Sequence, residues 1–279
     1  MNQLPYELLF CHRFNLHKKL GFDIADDDLE SIARIYGVQT AELQAAEDEL
    51  RDRVRRAAEQ IRTEYPEPAE AANTAPGVYL ALGDSITSDR TSYAKIIREL
   101  WGGKNVIDAG ISGDTTADVV DRFYPDVLNR SYDVASVFIG TNDSRGLDDG
   151  KGITRVGIAD YTKKLRYFIS AMRNPPAGAE SVSTPAPKKL LLITLPPAKT
   201  EVLRSYFGEE ANWVYSAEHI AKMNKAIRKT AKKTGTVLVD LAEEIESSGI
   251  DPLDEDGLHL NIEAQTRLAK LVLQGMAGE

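Results

Sequence analysis

From residue 78 onward, short apolar runs alternate with amphipathic stretches, whereas the first 65 residues carry apolar positions at helical spacing only. The run Val78-Tyr79-Leu80-Ala81-Leu82 is continuous and apolar, the pattern of a strand covered on both faces of a parallel sheet. Gly83 breaks it, and Asp84, Ser85 and Thr87 favour turns and helix N-caps over strand interiors. Tyr93 to Trp101 then resumes helical spacing. Ser85 is therefore expected on a strand-to-helix turn at the carboxyl end of a first strand, where open α/β sheets bind their ligands. The alternation recurs. Strands are expected at 105–109, 134–139, 190–195 and 236–240, and helices at about 117–128, 161–172, 217–233 and 261–276. Such alternation predicts an α/β fold of three layers, α/β/α, around a five-stranded parallel sheet with right-handed crossovers.

The N-terminal region reads differently. One or two short helices are expected between Leu4 and Leu20, carrying His12 and His17 and stopped by Gly21. Asp26, Asp27 and Asp28 precede Leu29 to Tyr36, placing acidic groups where they oppose the positive end of a helix dipole. Gly37 suits a C-cap and Thr40 an N-cap for a long helix from about Ala41 to Tyr65. Leu43, Leu50, Val54, Ala57 and Ile61 would line its buried face, with Glu47, Arg51, Arg55 and Glu59 on the solvated side. Pro66 and Pro68 stop that helix, and the small and polar residues to 76 read as a linker. The expected organisation is a helical region over 1–65, a linker over 66–76 and an α/β domain over 77–279.

Residues 32–43 resemble a helix-turn-helix, which would imply DNA binding. Acidic residues outnumber basic ones in 1–65, however, and the would-be recognition helix opens with Glu42 rather than Arg or Lys. A hairpin that packs on the following domain or on a second subunit fits better, so a homodimer through these helices is an expectation. The whole chain has a formal net charge of -9, which argues against general affinity for nucleic acid or anionic membrane. A single cysteine, Cys11, excludes an intrachain disulfide and Cys-rich structural zinc sites. No apolar run approaches a membrane span, and the first residues lack the basic start and apolar core of a signal peptide, so a cytoplasmic location is expected.

Four polar clusters fall where strands should end or just ahead of the last helix: Gly83-Asp84-Ser85-Ile86-Thr87, Ile111-Ser112-Gly113-Asp114-Thr115, Gly140-Thr141-Asn142-Asp143 and Asp256-Gly257-Leu258-His259. In a parallel sheet the first three converge on one edge. In this order the clusters resemble the motif blocks of the GDSL, or SGNH, hydrolase family. The resemblance covers about Val78 to the C-terminus and leaves residues 1–76 unexplained. It implies a flavodoxin-like SGNH hydrolase fold and metal-free, cofactor-free hydrolysis of an ester or thioester through an acyl-serine intermediate. Ser85 would be the nucleophile, His259 the base and Asp256 the group that orients it. The Ser85 and Gly113 backbone N–H groups and the Asn142 amide would form the oxyanion hole. The chemistry is coherent. A serine hydroxyl needs a neighbouring base, and a neutral histidine serves near pH 7. Of the four histidines, only His259 has an acidic residue three positions before it, close enough to reach the imidazole within one turn. Asp84, Thr141 and Asp143 read as residues that hold turns.

Other signatures fail: Gly-x-Ser-x-Gly is absent, and Gly146 to Lys151 lacks the spacing and hydroxyl of a phosphate loop. The basic positions between 222 and 233 read as a solvated helix face. Tyr206, Phe207, Trp213 and Tyr215 are candidates for an apolar wall in a loop over 198–215, or simply its anchors. A small-acyl esterase acting on a carbohydrate or lipid-like alcohol is expected. The alternatives are a thioesterase or lysophospholipase, and a DNA-binding or ligand-sensing regulator built on a hydrolase-like domain.

Overall fold

The computed structural model describes residues 5–21, 24–73, 77–103, 105–148, 151–175, 186–208 and 213–278, leaving aside the side chains of 69 and 71–73. Seven strands occur among them: β1 (Tyr79–Gly83), β2 (Val106–Gly110), β3 (Val134–Phe138), β4 (Arg145–Leu147), β5 (Lys189–Ile193), β6 (Trp213–Tyr215) and β7 (Val237–Val239). Five form one parallel sheet in the order β2-β1-β3-β5-β7. Every residue of β1 and β3 is buried, as a strand covered on both faces requires. β4 and β6 pair antiparallel as a separate ribbon that periodicity alone did not reveal, each being three residues long.

The helices are α1 (Tyr6–Arg13), α2 (Leu29–Tyr36), α3 (Thr40–Glu64), α4 (Pro66–Asn73), α5 (Ser85–Ser88), α6 (Tyr93–Leu100), α7 (Thr116–Phe123), α8 (Ile158–Arg173), α9 (Thr200–Phe207), α10 (Ala217–Thr234), α11 (Leu241–Ser248) and α12 (Ile262–Ala277). α6 and α12 pack with α3 and α4 in one layer, while α7, α8 and α10 pack together in another. A 3-10 turn, Leu16–Leu20, follows α1 and ends at Gly21 in the left-handed conformation, as expected. α2 is capped by Asp28, whose side chain accepts from Ser31 N, and closes on Gly37, also left-handed.

Three expectations about helix limits need correction. The residue before α3 is Gln39, whose backbone N–H donates to Glu42 Oε2 at 3.2 Å, so Thr40 already lies inside the helix. The helix expected to reach Leu128 leaves α geometry at Phe123 and finishes as a single π turn, Tyr124–Leu128, because Pro125 has no N–H to continue the ladder. The stretch expected to be a linker is helical over Pro66–Asn73. Its prolines do end α3, but Pro66 then occupies the first position of α4, where a missing N–H costs nothing. Residues 74–76 of that stretch, and 176–185 of the excursion expected over 175–187, lie outside the described residues.

α3 joins the main core rather than closing a separate one. Val54, Ala57, Ala58 and Ile61 belong to the same buried cluster as the β1 and α6 residues. Burying a Val- or Ile-sized side chain of this kind stabilises by about 1.5–3 kcal/mol. A smaller cluster, Leu29, Ile32, Ala33 and Leu43, holds α2 against the start of α3. The would-be recognition helix thus turns its apolar face inward.

Glu47 departs from the expected solvated face, being 5% exposed. Its carboxylate accepts from Arg90 Nη1 at 2.8 Å and Arg51 Nε at 2.7 Å and faces His12 Nε2 at 3.1 Å. Burial pushes this carboxyl up, but the His12 hydrogen bond and the two guanidinium groups outweigh it and leave the pKa at about 2. His17, also fully buried, is held down to about 4 by desolvation and by Arg90. Removing one partner of a buried pair leaves an uncompensated charge, so Glu47→Ala is expected to cost about 3–5 kcal/mol in urea denaturation. A cost below about 1 kcal/mol, the range of a surface pair, would contradict that reading.

Candidate active site

The site is built where the sheet changes direction. β1 lies between β2 and β3, so the chain leaves β1 to one side and returns past it, opening a crevice at the carboxyl ends of β1 and β3. The register sets Gly83 level with Gly110 on one side and Phe138 on the other. Ser85 thus follows the end of β1 by two residues, Gly113 that of β2 by three and Asn142 that of β3 by four. Gly83 is required by closeness. A Cβ there would lie 2.0 Å from Thr87 Oγ1 and 2.7 Å from the backbone oxygen of Phe138. Arg122 ties two strand ends together, donating to Ala109 O at 2.9 Å and Gly83 O at 3.1 Å.

Asp84 is the N-cap of α5 and accepts from Ile86 N at 3.0 Å, which fixes Ser85 as the first helical residue. Ser85 Oγ lies 2.8 Å from His259 Nε2, and His259 Nδ1 is hydrogen-bonded to Asp256 Oδ2. The other Asp256 oxygen accepts from the backbone N–H of Leu258 and of His259, each at 2.9 Å, so the loop grips the carboxylate that grips the imidazole. Burial raises the Asp256 carboxyl, but His259 and these N–H donors pull it below its ordinary value, to about 2. It is therefore ionised at neutral pH and can hold a proton on His259 Nδ1. Ser85, Asp256 and His259 are all buried, at 7%, 3% and 4% exposure.

Asn142 opens a 3-10 turn after β3, and its amide donates to Asp114 O at 3.1 Å and Asp84 Oδ2 at 3.4 Å. Gly113 has φ +76°, a conformation that favours glycine, and no side chain intrudes on its Cβ position within 3.5 Å. Asp143 accepts from the backbone N–H and hydroxyl of Thr116 at the head of α7, as a turn-holding residue should. Thr141 differs, since its buried hydroxyl has no partner. Burial raises the Asp143 carboxyl to about 6 and that of Asp84 to about 7, in each case against hydrogen bonds that favour the charged form. Among the described residues no group of three or more His, Cys, Asp or Glu could hold a metal ion.

Several residues at the site escaped the sequence reading. Phe14 stacks on the His259 ring with centroids 3.9 Å apart, and Phe10 meets the same ring edge-on at 5.9 Å. Gln265 of α12 accepts from Tyr93 N at 2.9 Å and donates to Ile86 O at 3.1 Å, joining the helix after His259 to the turn carrying Ser85. The one local signal was the i,i+4 pairing of Phe10 and Phe14. Of the four aromatics expected in the 198–215 loop, Tyr206 and Phe207 lie on α9 and pack on Phe10, with centroids 6.2 and 5.6 Å away. Trp213 stacks under Arg145, and Tyr215 is buried in the core.

A family model described as the GDSL-like Lipase/Acylhydrolase family matches residues 81–267. Among solved structures, a lipase/acylhydrolase from Enterococcus faecalis is similar at 23% identity, covering 73% of this chain and 96% of its own, with a TM-score of 0.54. Axe2, an acetylxylan esterase from Geobacillus stearothermophilus, is similar at 19% identity over 74% of this chain and 96% of its own, with a TM-score of 0.53. At these identities the likeness is one of fold. An uncharacterized lipoprotein of Bacillus subtilis (strain 168), YqeF, is 38% identical over 72 residues, which span 26% of this chain and 29% of that protein.

The raised Asp84 carboxyl makes a stability prediction. Its folded pKa of about 7 lies above the unfolded value of about 4, so its contribution is fully present below pH about 4 and is lost as pH rises through 7. The melting temperature should fall between pH 5 and 8, and the fall should be shallower in Asp84→Asn. Identical slopes in the two proteins would place the titration elsewhere.

Proposed function

The chain belongs to the GDSL-like lipase/acylhydrolase family and is a carboxylic ester hydrolase; on that premise we propose that it cleaves a small-acyl ester through an acyl-Ser85 intermediate. The observation that carries this reading is the unbroken hydrogen-bonded path from Ser85 Oγ through both nitrogens of His259 to Asp256. In the first step Ser85 Oγ attacks the ester carbonyl carbon while His259 Nε2 takes the hydroxyl proton. Asp256 holds the Nδ1–H and stabilises the imidazolium. The tetrahedral intermediate collapses, the carbon–alkoxy bond breaks, and the leaving alkoxide receives the proton from His259. Water then repeats the sequence on the acyl-serine and releases the acid.

Negative charge on the carbonyl oxygen calls for donors fixed before the reaction begins. The N–H of Ser85 at the head of α5, the N–H of Gly113 and the Asn142 amide fill that role in this account. The contact between Asn142 and Asp84 supports it, since it ties the amide to the residue that caps the nucleophile turn. A small acyl group fits the burial of Ser85 and His259, at 7% and 4% exposure.

Hydrolysis of p-nitrophenyl acetate and butyrate tests the assignment. Ser85→Ala and His259→Ala should each lose about a thousandfold or more while staying folded. An inert wild type, or a Ser85→Ala protein that matches it, would overturn the reading. Asn142→Ala should lose about 100–1,000-fold in kcat, the cost of one oxyanion donor, with little change in KM. A loss confined to KM would remove Asn142 from that role.

A further inference from the structure

The triad's ceiling comes from outside the family domain. The matching family model begins at residue 81, yet the ring stacked on His259 belongs to Phe14, 245 positions earlier in the chain. From these contacts we propose that Phe14 is a specificity-determining residue: its ring limits the size of the ester that reaches Ser85. The proposal rests on the hydrolase reading above and deepens it.

Three observations support a fixed wall rather than a passing contact. First, the Phe14 backbone is sewn to the catalytic loops. Its carbonyl accepts from the hydroxyls of Ser88, at 3.2 Å, and Ser112, which lie three residues after Ser85 and one before Gly113. Asn15, in the left-handed conformation at φ 51°, donates from Nδ2 to Ser88 O at 2.6 Å, and Arg90 N donates to Arg13 O at 2.9 Å. Second, Arg13 pins the segment at both ends of the site. Its guanidinium pairs with Asp89, just after α5, at 2.9 Å, and with Asp254, just before Asp256, at 2.5 Å. Asp89 is fully buried, and a buried carboxylate does not readily give up its partner. Third, the Phe14 ring is itself a partition. One face lies on His259, and Phe14 also lines a cavity of about 180 Å³ with an apolar side formed by Tyr6, Leu9, Phe10 and Tyr206 and a charged side that includes Arg53 and Glu255. Removing the ring would join the space beside His259 to that cavity, giving a longer acyl or alkoxy group room to lie along the Tyr6, Leu9, Phe10 and Tyr206 side of it.

The test compares Phe14→Ala, Phe14→Leu and Phe14→Trp with wild type in the full chain, with folding checked by circular dichroism. Two readouts are taken: kcat/KM for p-nitrophenyl octanoate relative to acetate, and the rate at which Ser85 is modified by a long-chain alkyl fluorophosphonate relative to diisopropyl fluorophosphate. In hydrophobic pockets one methylene shifts selectivity by about tenfold or more, so Phe14→Ala should raise both ratios at least about tenfold. Phe14→Leu should fall between, and Phe14→Trp should lower both ratios below wild type. If Phe14→Ala does not fold, the opposite displacements expected of Leu and Trp decide the matter alone. Unchanged ratios with Ser85 still reactive would overturn the wall and leave the hydrolase reading intact. A Ser85 that reacts with neither reagent and supports no turnover would overturn the hydrolase reading, and the wall with it.

Discussion

The hydrogen bond between Ser85 Oγ and His259 Nε2 joins residues 174 positions apart, and much of the fold exists to let it form. One partner stands at the end of the first strand and the other just before the last helix. Neither loop is held by its own sequence alone. Gln265 bridges α12 to the turn that carries Ser85, and Arg122 holds the ends of β1 and β2. Asp256 takes up two backbone N–H groups of its own loop before it meets the imidazole. A serine and a histidine must lie within hydrogen-bond reach for proton transfer, so each of these ties bears on chemistry through geometry.

The N-terminal quarter of the chain changes how that geometry is presented. Its apolar faces are largely spent within the same chain. α3 enters the main core, α2 closes a smaller one, and the segment from Tyr6 to Leu20 crosses the catalytic edge of the sheet. Side chains of that segment pair with groups elsewhere in the chain: His12 with Glu47, Arg13 with Asp89 and Asp254, Lys18 with Asp26 and Asp108, and Lys19 with Asp114. Such pairs add little when exposed, but breaking a buried one strands a charge. They therefore fix the segment in place over the active site.

What the sequence made legible follows from range. The strands of the parallel sheet, the turn carrying Ser85 and the Asp256–His259 pair each occupy a few consecutive residues, so spacing and residue type sufficed to place them. Asp84 was readable as a cap for the same reason. The roles of Phe14, Gln265 and Arg122 depend on partners tens to hundreds of positions away, and no local pattern announces them. Glu47 shows the limit most clearly. By helical spacing it belongs with Arg51 and Arg55 on a wet face, and its distant buried partners, Arg90 and His12, turn it inward. The helical stretch over Pro66–Asn73 was misread because proline ends one helix and begins another equally well.

The measurement closest to the central claim is the capture of the acyl-enzyme. Wild-type protein mixed with p-nitrophenyl acetate, quenched in acid within the first turnovers and digested, should carry one acetyl group on the peptide containing Ser85. The group should accumulate in a burst and be absent from Ser85→Ala. Ester turnover without any acetylated Ser85 peptide, or with the acetyl group on another residue, would contradict the account.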